Sequence, residues 1–321
     1  MTGQEEAVSD ERVRGAEGVS GEGVPGADSA HVLAEIASQP ECWAAALTTA
    51  KESAELLPTP GSRVAVIGCG TSLHIATAVA AAREAAGQGE TDAFPASEMP
   101  VRPYDLVVAL SRSGTTTEIL QALDQLPDSV PTLGITADPS TPIADAVDQL
   151  VVLDYADEAS VVQTRFATSA LTLLRAHIGH DMSPVIDQAA EVLNQPIDSS
   201  LVDRPHYVFL GRGWNLGVAA EAALKVREAA SAWSEVYPAL EYRHGPLSAA
   251  GGGTLVWMLG APDPALIRDI SVTGAQVESS ERDPQADLVR AQRVAVATAR
   301  HRGLDPDQPR HLTRSVVLSA S

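Results

Sequence analysis

Short apolar runs recur along this chain, separated by stretches long enough to hold a helix, and several of them run straight into glycines and hydroxyl-bearing residues. Residues 64–67, 106–110, 132–136 and 150–153 are such runs. A strand that is apolar without alternation is buried on both faces, which requires a parallel sheet covered by helices on each side. Helical spacing over residues 73–86 and 119–126 fills the gaps between these strands. The predicted fold is therefore α/β, a doubly wound, flavodoxin-like parallel sheet. The pattern then repeats. A strand at 207–210 turns through Gly211 and Gly213 into a helix at 218–230, with later strands at 254–259 and 274–277 and a helix at 288–302. This second unit reads as trimmed, its sheet short by a strand.

Residues 1–28 are rich in Gly, Glu, Ser and Asp with almost no large apolar residue, and are expected to be a disordered tail. Val32, Ile36, Trp43 and Leu47 mark one or two helices that Pro58, Thr59, Pro60 and Gly61 break. Helical segments at 161–178 and 185–193 lead to a polar connection, Asp198 to Asp203, where the boundary is placed. The expected organisation is a first unit over 29–198, a second over 199–303, and a C-terminal tail over 304–321.

A net charge of -20 repels a phosphate backbone, and no local basic patch offsets it, so nucleic acid is not expected as a partner. Two cysteines, no basic and apolar leader, and no apolar run of about 20 residues suggest a cytoplasmic protein without a membrane span. Of 22 lysines and arginines only Lys51 and Lys225 are lysine. A lysine kept in so arginine-rich a chain points to a place where a compact ammonium matters.

The strand at 64–67 runs into Gly68, Cys69, Gly70, Thr71 and Ser72. Glycines admit close backbone approach, and helix N-terminal amides with hydroxyls favour an anion, although a tight strand-to-helix turn would look the same. The strand at 106–110 feeds Ser111, Arg112, Ser113, Gly114, Thr115, Thr116 and Thr117. Parallel sheets bind ligands outside the carboxyl ends of their strands, and hydroxyls with free amides suit a phosphate monoester. Leu73 stands where a dinucleotide loop needs its third glycine, and no lysine follows as in a Walker loop. With no metal-ligand cluster either, neither metal nor cofactor is expected.

Gly68 to Ser72, followed by the Ser-x-Ser-Gly-x-Thr run that begins at Ser111, resembles the phosphosugar-binding signature of sugar isomerase (SIS) domains. From about Ala34 to its end the chain resembles the isomerase half of glucosamine-6-phosphate synthase and related amino-sugar-phosphate deaminases, which implies two SIS subdomains. The resemblance implies that Gly70, Thr71, Ser72, Ser111, Arg112, Ser113 and Thr116 hold a 6-phosphate, and that Val161, Gln163 and Thr164 border the sugar. Arg112 departs from the glutamine of the synthase. Lys225 and Glu228, three apart on one helix face, are by spacing alone an ordinary salt bridge. By resemblance Glu228 is the base that moves a proton between sugar C1 and C2, with Lys225 as its electrostatic partner or a ligand to a sugar hydroxyl. His244, in the run Glu241 to Pro246, matches the residue that opens the sugar ring and reaches into a neighbouring subunit, which implies a homodimer. The tail from Gly303 to Val316 also matches, and is expected to lie over the active site. It carries Arg314 where the synthase has a Schiff-base lysine, and a guanidinium cannot serve as that amine.

No glutaminase segment precedes these units in the sequence, so glutamine-dependent synthesis is not expected. The expected activity starts with ring opening and C2 proton abstraction on a hexosamine 6-phosphate. Arg314 favours loss of the C3 hydroxyl, a dehydratase outcome on N-acetylglucosamine 6-phosphate or glucosamine 6-phosphate. An isomerising deaminase or an aldose–ketose isomerase is the alternative, and a non-catalytic phosphosugar sensor a further one.

Overall fold

The computed structural model describes residues 29–318. The expected disordered tail, residues 1–28, lies outside them. Two helices, α1 (Ala30–Ala37) and α2 (Gln39–Glu52), precede the first sheet. Then come β1 (Val64–Gly68), α3 (Thr71–Ala85), β2 (Thr91–Pro95), β3 (Leu106–Leu110), α4 (Thr117–Asp124), β4 (Thr132–Thr136), α5 (Ile143–Ala146) and β5 (Gln149–Val152). Helices α6 (Arg165–His177) and α7 (Ser183–Asn194) follow. The second sheet is built from β6 (His206–Gly211), α8 (Asn215–Ala230), β7 (Ser234–Pro238), β8 (Thr254–Met258), α9 (Pro264–Ser271) and β9 (Gln276–Ser279), and α10 (Pro284–His301) closes the fold.

All strand pairs are parallel, in the order β2-β1-β3-β4-β5 and β7-β6-β8-β9. The first order is the flavodoxin-like one, whose reversal lies between β1 and β3. The second sheet repeats it with one strand fewer. In both units a glycine ends the first strand where the next helix turns back over it. A Cβ on Gly68 would lie 2.5 Å from Ser72 C, and one on Gly211 would lie 2.4 Å from Asn215 O.

One apolar core runs through both units, from Val66, Ile75 and Phe166 to Val218, Phe209 and Leu288. At its centre α3 and α8, the first helix of each unit, pack together. Gly217 makes this contact possible, since a Cβ there would lie 2.5 Å from both His74 O and Ala78 N. A polar seam ties α2, α6 and α10. Trp43 Nε1 donates to Thr168 Oγ1 (2.8 Å), which donates to Gln39 Oε1 (2.8 Å), while Gln39 Nε2 donates to Gln292 Oε1 (2.7 Å).

The structure differs from the sequence reading in several places. The edge strands β2 and β7 and the helix α9 were not expected. An edge strand is only partly covered and need not be apolar; both end in proline, which an edge tolerates. The strand placed at 274–277 lies two residues later. The helix placed from 161 starts only at Arg165, because Glu158 holds the preceding loop, accepting from Thr164 N, Thr164 Oγ1 and Arg165 N. The polar connection near residue 198 is a 3-10 turn, Ser199–Leu201, in which Asp198 accepts from Ser200 N at 2.8 Å.

Candidate active site

The carboxyl ends of β1 and β3 open at the sheet's reversal point, and each leads into a helix. Gly70, at φ 54°, is the residue before α3; Thr116 is the residue before α4. Ser72 and Thr116 have no hydrogen-bond partner for their hydroxyls among the described residues. Ser111 Oγ accepts from Gly114 N (3.1 Å) and keeps its own proton to donate. Unengaged hydroxyls beside the first turns of α3 and α4, where Ser72 N is given to Cys69 O and Thr117 N to Val316 O, converge on one crevice that suits an anion.

A charged cluster joins this crevice to the second unit. Thr71 starts α3, and Lys225 of α8 donates to its Oγ1 at 2.9 Å. Lys225 Nζ also lies 3.2 Å from Glu221 Oε1 and 2.6 Å from Glu228 Oε2. Spacings of three and four put all three charges on one face of α8. Glu221 is wholly buried and its Oε2 has no partner. Burial pushes its carboxyl up to about 7, with Lys225 opposing and Glu228 adding to the rise. Burial works to lower Lys225, but the two carboxylates outweigh it and hold the ammonium above its ordinary value. His74, one turn along α3, is pushed down to about 4 by burial and by the charges of Lys225 and Arg227, so its imidazole is neutral.

Glu228 differs from Glu221 in being reachable, its side chain 20% exposed. It lines a cleft of about 190 Å³ with Ser231, Asp305, Gln308 and Arg310. A carboxylate held by an ammonium, open to a cleft and tied through Thr71 to an anion crevice, is placed to move a proton on a bound anionic substrate.

The family model of the SIS domain matches residues 59–178, which span the first sheet, both hydroxyl loops and α6. Residues 59–178 are a SIS domain. The chain is 28% identical over 315 residues to a glutamine–fructose-6-phosphate aminotransferase of Gloeobacter violaceus, covering 80% of this chain and 52% of that protein. It spans about half the length of the curated relatives it matches. Among solved structures it resembles glucosamine-6-phosphate deaminase from Thermotoga maritima, at 29% identity and a TM-score of 0.77, covering 89% of this chain and 99% of that one. Tagatose-6-phosphate ketose/aldose isomerase from Escherichia coli shares the fold, at 21% identity and a TM-score of 0.73, covering 92% and 98%.

The SIS domain's hydroxyl loop is met by the C-terminal tail. Ser113 Oγ and Thr115 Oγ1 donate to Ser315 Oγ at 3.1 and 2.9 Å, and Thr117 N donates to Val316 O at 3.2 Å. Arg112, expected at the phosphate, turns elsewhere: its buried guanidinium donates to Ser160 O and Arg314 O. Glu158, whose carboxyl burial pushes up against the pull of Arg112, stands 3.9 Å away. Thr71 likewise engages the Lys225 cluster. Arg314 pairs with Asp157 at 2.6 Å and has no contact with Glu228 among the described residues. Val161 and Gln163 lie in the loop after Glu158, and Gln163 Oε1 is buried without a partner. His244 is exposed, and no hydrogen bond or ion pair ties it to the other site residues among those described.

Sequence reasoning assigned no role to Glu221, His74, Glu158 or Ser315. Glu221 was within reach of it, since Glu221 and Lys225 are four apart and Glu228 follows on the same face. Nothing local marks Ser315, whose partners lie about two hundred residues away.

Proposed function

We infer that this protein is an isomerising deaminase of a hexosamine 6-phosphate, converting glucosamine 6-phosphate and water to fructose 6-phosphate and ammonia. The observation that carries this reading is Glu228, bound to Lys225, open to a cleft, and linked through Thr71 to the hydroxyl crevice. The likeness to a deaminase over nearly that protein's whole length supports it further.

The 6-phosphate is held by Ser72, Ser111, Thr116 and those first-turn amides of α3 and α4 that are not given to the protein itself. His244, exposed and with no hydrogen bond to its imidazole among the described residues, opens the sugar ring in the site of a neighbouring copy, so the active form is a homodimer. Glu228 takes the C2 proton to give an enaminol, its carboxyl proton exchanges with solvent, and a proton returned from it to C1 leaves an imine at C2. Water adds to that imine and ammonia leaves. Lys225 offsets the charge on Glu228 and on the developing enaminol oxygen. No step needs an amine at position 314. The motive that Arg314 gave for loss of the C3 hydroxyl weakens as well, because its guanidinium faces Asp157.

Proton NMR of the protein with glucosamine 6-phosphate in deuterated water, run beside an ammonia assay, tests the reading. Deuterium at C1 of fructose 6-phosphate with stoichiometric ammonia is expected. A vinylic proton without ammonia would replace deamination by elimination, and measurable binding with no exchange would make the protein a sensor.

A further inference from the structure

The contacts between tail and hydroxyl loop centre on a buried arginine. Arg112 has no exposed side-chain surface; Nη1 donates to Ser160 O at 2.9 Å and Nη2 to Arg314 O at 2.8 Å. Glu158, equally buried, is its counter-charge, and is itself fixed by Thr164 and Arg165. The loop's carbonyl at Ser160 is set by Glu35 of α1, which accepts from Ala159 N, Ser160 N and Ser160 Oγ. The guanidinium cannot swing toward a ligand without leaving Glu158 buried and unpaired, which is strongly unfavourable.

Beyond Arg314 the tail docks on the loop residue by residue. Ser315 Oγ accepts from Ser113 and Thr115, Val316 O accepts from Thr117 N, and Leu318 N donates to Thr117 Oγ1 at 2.9 Å. A hydroxyl has two acceptor positions and one proton. With both acceptor positions of Ser315 filled, its proton remains to be given.

We propose that Arg112 is a positioning residue and not a phosphate ligand: it grips the Arg314 carbonyl and thereby delivers the Ser315 hydroxyl to the loop as an additional donor to the substrate's phosphate. This rests on the reading that the loop takes a phosphate monoester. The fork of arginine suits the task, since it reaches two carbonyls at once while facing a carboxylate, which a lysine ammonium on its flexible stem does not.

The test uses full-length protein with Arg112→Lys, Ser315→Ala and the double substitution. Binding of inorganic phosphate and of glucosamine 6-phosphate is measured by calorimetry, and hydrogen exchange of the 312–318 segment is followed without ligand. Ser315→Ala, on the exposed tail, is expected to weaken phosphate binding roughly tenfold, the worth of one hydrogen bond to a charged group. Arg112→Lys is expected to weaken it similarly and to speed exchange in the tail, and the double variant to bind no worse than Ser315→Ala. Losses that multiply in the double variant would make Arg112 a direct ligand and overturn the proposal, as would tail exchange unchanged by Arg112→Lys. If the unsubstituted protein binds neither probe, the phosphosugar reading and the donor role of Ser315 fall together. The exchange result then decides by itself whether Arg112 holds the tail.

Discussion

Replacing Glu221 with glutamine puts the electrostatics of the site to a direct test. The carboxyl is wholly buried and its folded-state value, about 7, lies above the ordinary value of 4.5. A carboxyl raised in this way binds its proton more tightly in the folded than in the unfolded chain. Its contribution to stability is therefore intact at low pH, falls as pH rises from about 4.5 to about 7, and is level above that. Between pH 5.5 and 7 the unfolded chain has lost this proton and the folded one has kept it, which is worth about 2 kcal/mol over that interval. The substituted glutamine imitates the protonated carboxyl and does not titrate. The stability of Glu221→Gln relative to the unsubstituted protein should thus improve by about 2 kcal/mol from pH 5.5 to 8.5. Urea denaturation of both proteins across that range measures the difference, and subtraction removes every titration they share. A difference flat with pH would refute the reasoning. Such a flat difference would show that Glu221 stays ionised against Lys225 throughout that range.

Other expectations follow from single contacts. Glu228→Gln keeps the size of the side chain but removes the base, so exchange at C2 should fall about 10²–10⁴-fold with binding of glucosamine 6-phosphate retained. Gly217→Ala places a Cβ 2.5 Å from two backbone atoms of α3 and should cost about 1–3 kcal/mol in denaturant unfolding. Thr168→Val preserves shape but strands the indole N–H of Trp43 and the Gln39 oxygen in a buried seam; a loss of about 1–3 kcal/mol for each stranded group is expected from its unfolding midpoint.

What the sequence made legible follows from where each element is buried. Central strands such as β1, β3 and β8 are covered on both faces, so their apolar runs stand out against any background. Edge strands β2 and β7 include Thr91, Asp92, Ser234 and Glu235, and carry no such mark. In the site, the hydroxyl loops and the Lys225–Glu228 pair are local patterns and could be read directly. The direction of Arg112 could not, because it depends on Glu158 and on a carbonyl of the distant tail. The same holds for Thr71, which reads as a phosphate contact from its loop and becomes a contact between units only when α8 is placed against α3.

That placement explains why the candidate chemistry needs both units. The anion crevice belongs wholly to the first sheet, while the proposed base stands on the first helix of the second. The distance between phosphate and base is set by how closely α3 and α8 approach, and Gly217 lets their backbones meet with no side chain between them. Lys225 then reaches Thr71 at the mouth of the crevice while holding Glu228 at the edge of its cleft, so one ammonium fixes both ends of the geometry. Burying that ammonium between Glu221 and Glu228 leaves the cluster with two carboxyls for one cation. The cost of that imbalance falls on Glu221, which lies deeper and is pushed up to about 7, whereas Glu228 is the carboxyl that a substrate can reach.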